Sequence, residues 1–176
     1  MIEYEKIRDY LRRAYMIAWA WSDDRDTKTA SLLLDVGWDQ VGGLQAMLLA
    51  EANRLPLGIR GTEENLTRPE KYHNIIHAER AVIYRAARRG IRTQGKTLLA
   101  TWACCRGCAQ AIIDAGISRV ISHAAMHQKY KELSDHWDSE VDKGLAMLKE
   151  AGVRHECFED QIGGCKSLAR GQVWEP

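Results

Sequence analysis

The sequence predicts a layered α/β domain in which helices cover a sheet. Short apolar runs alternate with longer segments of helical spacing in the middle of the chain. The predicted elements there are a helix over 77–89, a strand over 97–102, a helix over 106–115 and a strand over 119–122. Gly90 and Gly116 follow the two helices, as glycine commonly does at a helix end. This alternation is typical of strands joined by packed helices.

Flanking segments extend the pattern in both directions. Apolar residues at steps of three and four predict a helix over 3–21, which the polar segment 22–29 ends. Apolar runs over 31–36 and 44–52 predict two strands with Gly37 in the turn, although periodicity alone would also allow a helix over 44–51. A helix beginning at Ser134 and a strand over 153–158 complete the domain.

The segment 53–74 is a long loop by composition, because it contains Pro56, Gly58, Gly61 and Pro69. Loops of this length in a compact domain usually carry function. We therefore expect substrate contacts in this loop.

Composition limits the classes of partner. The 176 residues form one predicted domain over 1–176, and 25 Lys and Arg against 24 Asp and Glu give a net charge of +1. A balance so close to neutral argues against a long nucleic acid as partner. No run of about 18 apolar residues occurs, so we expect no membrane span and a cytoplasmic protein.

Two short motifs at predicted helix starts indicate metal chemistry. His77 and Glu79 begin one helix, and Cys105 and Cys108 begin the next, with Glu79 and Cys105 lying 26 positions apart. One histidine and two cysteines are a ligand set of catalytic zinc, whose fourth position takes water. Zinc lowers the pKa of that water to roughly 7, so hydroxide is available to attack an electron-poor ring carbon.

Glu79 lies two residues after His77, so it need not bind the metal. From the same helix start its carboxylate can take the proton of the water and pass it to leaving ammonia. A His-x-Glu motif followed by Cys-x-x-Cys is the signature of zinc-dependent nucleobase deaminases. The motifs therefore predict Zn²⁺ as cofactor, with a structural zinc or thiol pair at Cys105 and Cys108 as the alternative.

The surrounding sequence resembles the cytidine and deoxycytidylate deaminase superfamily, and its deoxycytidylate branch fits best. The resemblance begins at the motifs themselves, in 74–81 (NIIHAERA) and 103–109 (ACCRGCA). Three further stretches support it: 22–29 resembles the S-K-D-P-S-T-Q segment, 53–58 the N-x-x-P-x-G loop, and 68–72 the R-P-E-K-Y loop. The resemblance implies a three-layer α/β/α cytidine deaminase-like fold with a central mixed sheet of about five strands. It also implies conversion of dCMP to dUMP with release of ammonia, by a homo-oligomer.

The same resemblance implies residues that bind the base. Asn53 would contact the sugar and base region, and the backbone N–H of Ala78 would donate to the pyrimidine carbonyl. Trp102 and Ala103 would line the base pocket. Each assignment has a plainer alternative, because Asn53 could shape the turn before Pro56 and Trp102 could belong to the core.

Ser22, Arg25 and Arg54 are further predicted substrate contacts. Contacts to a phosphate are predicted from positive charge. The candidate cations for a phosphate are Arg25, Lys28, Arg54, Arg60, Arg68 and Lys71. Arginine offers a planar fork that matches phosphate oxygens, but most such side chains are solvated surface charges.

Several positions depart from the family pattern. Cys104 replaces the usual proline before the first cysteine ligand and is an alternative zinc ligand, while Asp23 and Arg25 replace lysine and proline in the 22–29 segment. The strand 29–34 reads TASLLL where the family reads V-G-A-V-I-V. Alternative substrates are therefore a modified pyrimidine nucleotide, a purine nucleotide, a nucleoside, a free base or a base within RNA. A non-catalytic zinc module is the alternative from another class.

Overall fold

The computed structural model describes residues 2–37, 43–133 and 138–176. Its main sheet has five strands in the order β2-β1-β3-β4-β5. These strands are β1 (Ala30–Gly37), β2 (Gly43–Ala52), β3 (Thr97–Ala100), β4 (Arg119–His123) and β5 (Arg154–Phe158). β1 is antiparallel to both β2 and β3, whereas β3, β4 and β5 run parallel. The predicted mixed sheet is confirmed.

Helices cover both faces of this sheet. The described helices are α1 (Ile2–Trp21), α2 (Glu63–Leu66), α3 (Lys71–Asn74), α4 (Ala78–Arg88), α5 (Arg106–Asp114), α6 (Ala124–Leu133) and α7 (Asp138–Glu150). Leu32 and Leu34 of β1 pack into the core cluster of α1, while Leu33 packs into the cluster of α4, α5 and α7. Consecutive apolar residues such as Leu32, Leu33 and Leu34 are typical of a strand that is covered on both faces. The three-layer architecture is confirmed.

The ambiguous segment after the first strand is a strand. β2 pairs with β1 from Ala30 opposite Ala52 to Gly37 opposite Gly43. Ladder hydrogen bonds to a neighbouring strand decide between helix and strand here, and periodicity alone cannot predict them. The turn between the two strands lies outside the described residues, as does Ser134, the predicted start of the last helix.

The predicted boundaries of the central elements hold to within two residues. α4 ends at Arg88, and Gly90 follows with a positive φ of 63°, which is the usual glycine position after a helix. β3 is shorter than predicted, because it ends at Ala100 rather than Trp102. Trp102 is thereby released from the sheet and follows the carboxyl end of a strand, where α/β proteins commonly bind ligands.

The loop over 53–74 is folded. It contains α2 and α3 and has a small core of Leu55, Leu66 and Ile75. Its ends are joined by two backbone hydrogen bonds between Arg54 and Ile76, of 3.1 and 2.8 Å. The loop therefore returns the chain to a fixed point directly before His77.

The sequence reasoning missed α6 and a C-terminal hairpin. The hairpin consists of β6 (Ser167–Ala169) and β7 (Gln172–Trp174). It docks on the segment that follows α1, where Lys28 N–H donates to the Leu168 carbonyl at 3.0 Å and Gly171 N–H donates to the Asp26 carbonyl at 2.8 Å. The hairpin thus supports a segment that contributes to the site.

Candidate active site

Three potential metal donors converge at the starts of α4 and α5. The Nδ1 atom of His77 lies 3.4 Å from Cys105 Sγ and 3.5 Å from Cys108 Sγ. All three donor atoms lie within 4.8 Å of one another, and they form the metal-capable His, Cys, Asp or Glu cluster found among the described residues. The structure therefore brings together the three residues predicted as zinc ligands.

Local backbone structure explains this convergence. His77 is the N-cap of α4, and Cys105 is the N-cap of α5, so each side chain projects from a helix N-terminus. The positive end of a helix dipole stabilises a thiolate placed there. A hydrogen bond with Cys108 lowers the pKa of Cys105 to about 3, and the same bond raises the pKa of Cys108. Cys105 is therefore the more readily ionised of the two thiols.

The donor set fits zinc. One imidazole nitrogen and two thiolate sulfurs are borderline and soft ligands that zinc prefers, and three protein ligands leave its fourth position open. Burial alone would lower the pKa of His77, but its hydrogen bond and charge interaction with Cys105 raise that pKa overall. Cys104 lies outside the cluster: it is 1% exposed, packs in the core beside α5, and burial raises its pKa. Cys104 is therefore not part of the donor set that His77, Cys105 and Cys108 form.

Glu79 lies in the first turn of α4 and is 6% exposed. Burial raises its pKa, and the positive charge of His77 opposes that effect more weakly. The side chain lines the same cavity as His77 and Cys105. A carboxyl group that is shielded from water and lies beside the metal donors suits proton transfer to a bound substrate.

The cavity extends from the metal donors to the protein surface. The empty space along it, counted together with its opening to solvent, is about 750 Å³. Trp102, Tyr130 and Tyr72 contribute aromatic side chains to its lining, and Ala103 also lines it. The open side is the part lined by Arg68 and Tyr72, whose side chains are solvent-exposed in part.

An aromatic pair forms one wall. The rings of Trp102 and Tyr130 are 4.4 Å apart between centroids and tilted by 35°. The indole N–H of Trp102 donates to His127 Nδ1 at 3.3 Å, so α6 fixes the orientation of the indole. Trp102 is therefore a cavity residue rather than ordinary core. Tyr130 was missed, because α6 itself was not predicted.

Asn53 lines the cavity and is 6% exposed. Its Oδ1 accepts hydrogen bonds from Ser22 Oγ at 2.6 Å and Thr29 N at 3.0 Å, and its Nδ2 donates to the Thr27 carbonyl at 2.9 Å. A side-chain amide has two N–H donors, so these contacts among described residues leave one of them for a ligand. Asn53 follows β2, so its side chain links the end of β2 to the segment that precedes β1. It also lines the cavity.

Other predicted contacts occupy different places. Ser22, Arg25 and Arg54 are not among the described residues that line the cavity. Ser22 holds Asn53, Arg25 pairs with Glu63 on the surface, and Arg54 pairs with the buried Glu51. These side chains have protein partners that account for their positions. Ala78 is the buried first residue of α4, where backbone N–H groups have no partner within the helix.

Two of the predicted cations line the cavity. Lys71 is 4% exposed, and its Nζ lies 2.7 Å from an Asp24 oxygen and 2.9 Å from an Asp26 oxygen. Arg68 donates from Nε to the Tyr72 hydroxyl at 2.9 Å and pairs through Nη2 with Asp26 at 3.2 Å. Lys71 is therefore neutralised by carboxylates, while Arg68 lies at the open side. Lys28 and Arg60 are not among the lining residues.

Comparison with known proteins agrees with this geometry. The family model described as the cytidine and deoxycytidylate deaminase zinc-binding region matches residues 6–124, which include His77, Glu79, Cys105 and Cys108. The chain belongs to this family. The zinc-binding family and the donor cluster together identify Zn²⁺ as the cofactor of this deaminase-family protein.

Solved structures share the fold of this deaminase-family chain. The dCMP deaminase of the cyanophage S-TIM5, in complex with dCMP and dUMP, superposes with a TM-score of 0.64 at 19% identity, over 88% of this chain and 97% of that one. Its apo form gives a TM-score of 0.62 at 19% identity, over 88% and 98% of the two chains. At these identities the likeness establishes the cytidine deaminase-like fold.

A larger enzyme contains the same fold as one part. The diaminohydroxyphosphoribosylaminopyrimidine deaminase/5-amino-6-(5-phosphoribosylamino)uracil reductase of Thermotoga maritima gives a TM-score of 0.55 at 15% identity, over 88% of this chain and 36% of that one. No curated protein matches the deaminase-family chain in a sequence search. Among the described helices, none has the length and apolar character needed to cross a membrane.

Proposed function

We propose that this protein catalyses the zinc-dependent hydrolytic deamination of a pyrimidine nucleotide, converting dCMP to dUMP with release of ammonia. One observation carries the proposal: the donors of His77, Cys105 and Cys108 and the buried carboxyl of Glu79 meet in one cavity. Three protein donors leave a zinc ion open to water, and a buried carboxyl beside them can transfer protons.

His77, Cys105 and Cys108 would hold the zinc ion. When bound, zinc lowers the pKa of a coordinated water to about 7 and so supplies the nucleophile near neutral pH. Glu79 takes one proton of the attacking water and gives it to the ring nitrogen, then transfers the second proton to the leaving amine. One C–O bond forms as one C–N bond breaks, and the products are a ring carbonyl and ammonia.

Side chains along the cavity would orient the ring. The aromatic pair of Trp102 and Tyr130 offers a flat apolar wall against which a base can stack. Asn53 offers one amide N–H, and Ala78 offers a backbone N–H from the first turn of α4. Such donors fix the orientation of a base and bring its amine-bearing carbon to the metal donors.

A nucleotide is favoured over a free base because of Arg68. Its guanidinium lies at the open side of the cavity and is 40% exposed at the side chain, so it can turn toward a phosphate. The S-TIM5 enzyme, which has the same fold, binds dCMP and dUMP. A modified pyrimidine nucleotide, a purine nucleotide and a nucleoside remain substrates to be compared directly with dCMP.

A non-catalytic zinc module would be expected to close the metal shell with a fourth protein ligand. Among the described residues, the cluster contains three donors, and Glu79 occupies the cavity beside them. This arrangement favours an open site and therefore an enzyme.

We also propose that the protein forms a homo-oligomer, as the family resemblance implies. Apolar side chains are exposed along one helix: Met16, Trp19 and Trp21 of α1 are 58%, 41% and 56% exposed. Static light scattering tests this directly. A monomeric mass at all protein concentrations would contradict it.

The decisive experiment measures ammonia release by zinc-loaded protein from dCMP, methyl-dCMP, deoxycytidine, dAMP and dGMP. We expect turnover of dCMP, and a loss of at least about 100-fold in the Glu79→Gln variant, which keeps the size of the side chain but cannot carry the proton. Zinc content measured in both proteins serves as the control. Turnover of another substrate would replace dCMP, and no release from any substrate by fully loaded protein would contradict the proposal.

A further inference from the structure

Ser31 is the second residue of β1 and is completely buried, with 0% exposure. Its neighbours Ala30 and Leu32 face the core beside α1, so Ser31 faces the opposite side with Leu33, toward α4 and α5. Ala100, its partner on β3, lines the cavity with it. Ser31 is therefore a polar side chain in an otherwise apolar stretch of the cavity lining.

The hydroxyl of Ser31 has no hydrogen-bond partner among the described residues. On the neighbouring strand β2, the residue paired with Ser31 is Glu51. The carboxylate of Glu51 is occupied by Arg54 and Arg85 instead. A buried hydroxyl without a partner destabilises the folded state, so such groups are rare in proteins and call for a physical reason.

Other buried hydroxyls of the same sheet region are satisfied. Ser122 of β4 is equally buried, and its Oγ lies 2.8 Å from His155 Nε2. Thr101 Oγ1 accepts from Ala30 N at 3.1 Å. The exception is the hydroxyl that lines the cavity with Glu79 and Trp102. The missing partner of Ser31 is therefore to be sought in the ligand of the cavity.

We propose that the Ser31 hydroxyl hydrogen-bonds to the base of the substrate and helps to determine which base is accepted. The inference rests on the proposed function, because it places an aminopyrimidine ring in this cavity. A hydroxyl both donates and accepts, so it complements a ring nitrogen, a ring carbonyl or a polar substituent. Its position on a central strand fixes it more rigidly than a loop residue, which suits discrimination between bases.

The test compares wild type with Ser31→Ala for binding of dCMP and dUMP by calorimetry, and for kcat/KM where turnover occurs. We expect Ser31→Ala to weaken nucleotide binding roughly 10-fold, as the loss of one hydrogen bond does. Binding of deoxyribose 5-phosphate, which lacks a base, should not change. The melting temperature should stay the same or rise, because an unpartnered buried hydroxyl has been removed.

Ser122→Ala is the matched control, since it removes a buried hydroxyl that has a protein partner. It should lower the melting temperature and leave nucleotide binding unchanged. Equal dCMP affinity and kcat/KM in Ser31→Ala and wild type would overturn the inference while ammonia release still supports the proposed function. Nucleotide binding without any turnover would contradict the proposed function alone, and the affinity ratio would still decide the role of Ser31. Absence of nucleotide binding by the wild type would overturn both.

Discussion

Gly144 of α7 packs directly against the backbone of Cys105, one of the three metal donors. A β-carbon placed on Gly144 would lie 2.8 Å from the carbonyl carbon of Cys105, and closer still to the carbonyl oxygen of Cys104. Real β-carbons do not approach a backbone so closely, so any side chain at 144 forces the two segments apart. α7 therefore holds in place the turn that presents the Cys105 thiolate.

We predict that Gly144→Ala lowers zinc content at least about threefold at limiting metal, because the displaced turn misaligns a donor by a few tenths of an ångström. Alanine is the better helix former by about 1 kcal/mol, so a loss cannot be ascribed to helix propensity. Metal analysis after dialysis measures the effect. Gly107→Ala in α5 is the control, since no atom lies within 4 Å of a β-carbon there. Equal zinc content in both variants would refute the positioning role of Gly144.

Arg68 lines the cavity, whereas Arg25 lies on the surface, so the two arginines can be compared as a test of phosphate binding. We predict that Arg68→Gln raises the KM for dCMP roughly 10- to 100-fold and leaves the KM for deoxycytidine unchanged, because a charge-assisted contact to phosphate is lost. Arg25→Gln should change neither value, since Arg25 pairs with Glu63 away from the cavity lining. Steady-state kinetics with both substrates measure this. An equal increase for nucleotide and nucleoside would assign Arg68 a structural role.

Lys71 is predicted to stabilise the fold rather than to bind phosphate. Its side chain is 4% exposed, and its ammonium group contacts Asp24, whose side chain is 10% exposed. Lys71→Met leaves a buried carboxylate without its partner, which should lower the free energy of unfolding by about 3–5 kcal/mol. Urea denaturation measures the loss. The double variant Lys71→Met with Asp24→Asn should recover part of it, and a single variant as stable as wild type would contradict the assignment.

The free energy of unfolding should decrease as the pH is lowered, and His123 is one cause. Burial lowers the pKa of His123 below its ordinary 6.5, against the opposing hydrogen bond to the Asp160 carbonyl. The neutral ring accepts from the Tyr15 hydroxyl at 2.7 Å through Nδ1 and donates from Nε2 to the Asp160 carbonyl at 3.0 Å. As the pH falls below 6.5, the unfolded chain gains a proton that the folded chain does not bind, so stability is lost.

We therefore expect the urea midpoint to decrease between pH 7 and about pH 5, and His123→Gln to reduce that dependence. His155 contributes in the same direction, since burial lowers its pKa as well. The variant should accordingly retain part of the decrease. If the urea midpoint of the variant decreases with falling pH as much as that of the wild type, His123 is not a main cause of the decrease.

The metal ligands were predictable from sequence because their geometry is largely local. His77 and Glu79 share one helix start, and Cys105 and Cys108 share another, so spacing alone determines most of their arrangement. The apolar run over 31–36 similarly predicts the strand β1. Such features depend on residues that are close in sequence.

The remaining cavity residues depend on contacts between distant segments. Tyr130 comes from a helix whose buried residues are Met126 and Tyr130 alone among those described, and the partners of Lys71 come from residues more than 40 positions earlier. The C-terminal hairpin was missed for a local reason. Its turn places Arg170 at φ 47° and Gly171 at φ 80°, and arginine is an unusual residue where such turns prefer asparagine, aspartate or glycine.

The closed loop over 53–74 allows the choice of substrate to change without changing the geometry of the metal site. Its ends are joined at Arg54 and Ile76, so a change of length between them is absorbed before the chain reaches His77. The same loop supplies Arg68, Lys71 and Tyr72 to the cavity wall. Insertions or deletions there can remodel which molecule is admitted while the metal-binding geometry is inherited intact, which is a direct route to divergence of specificity within one reaction type.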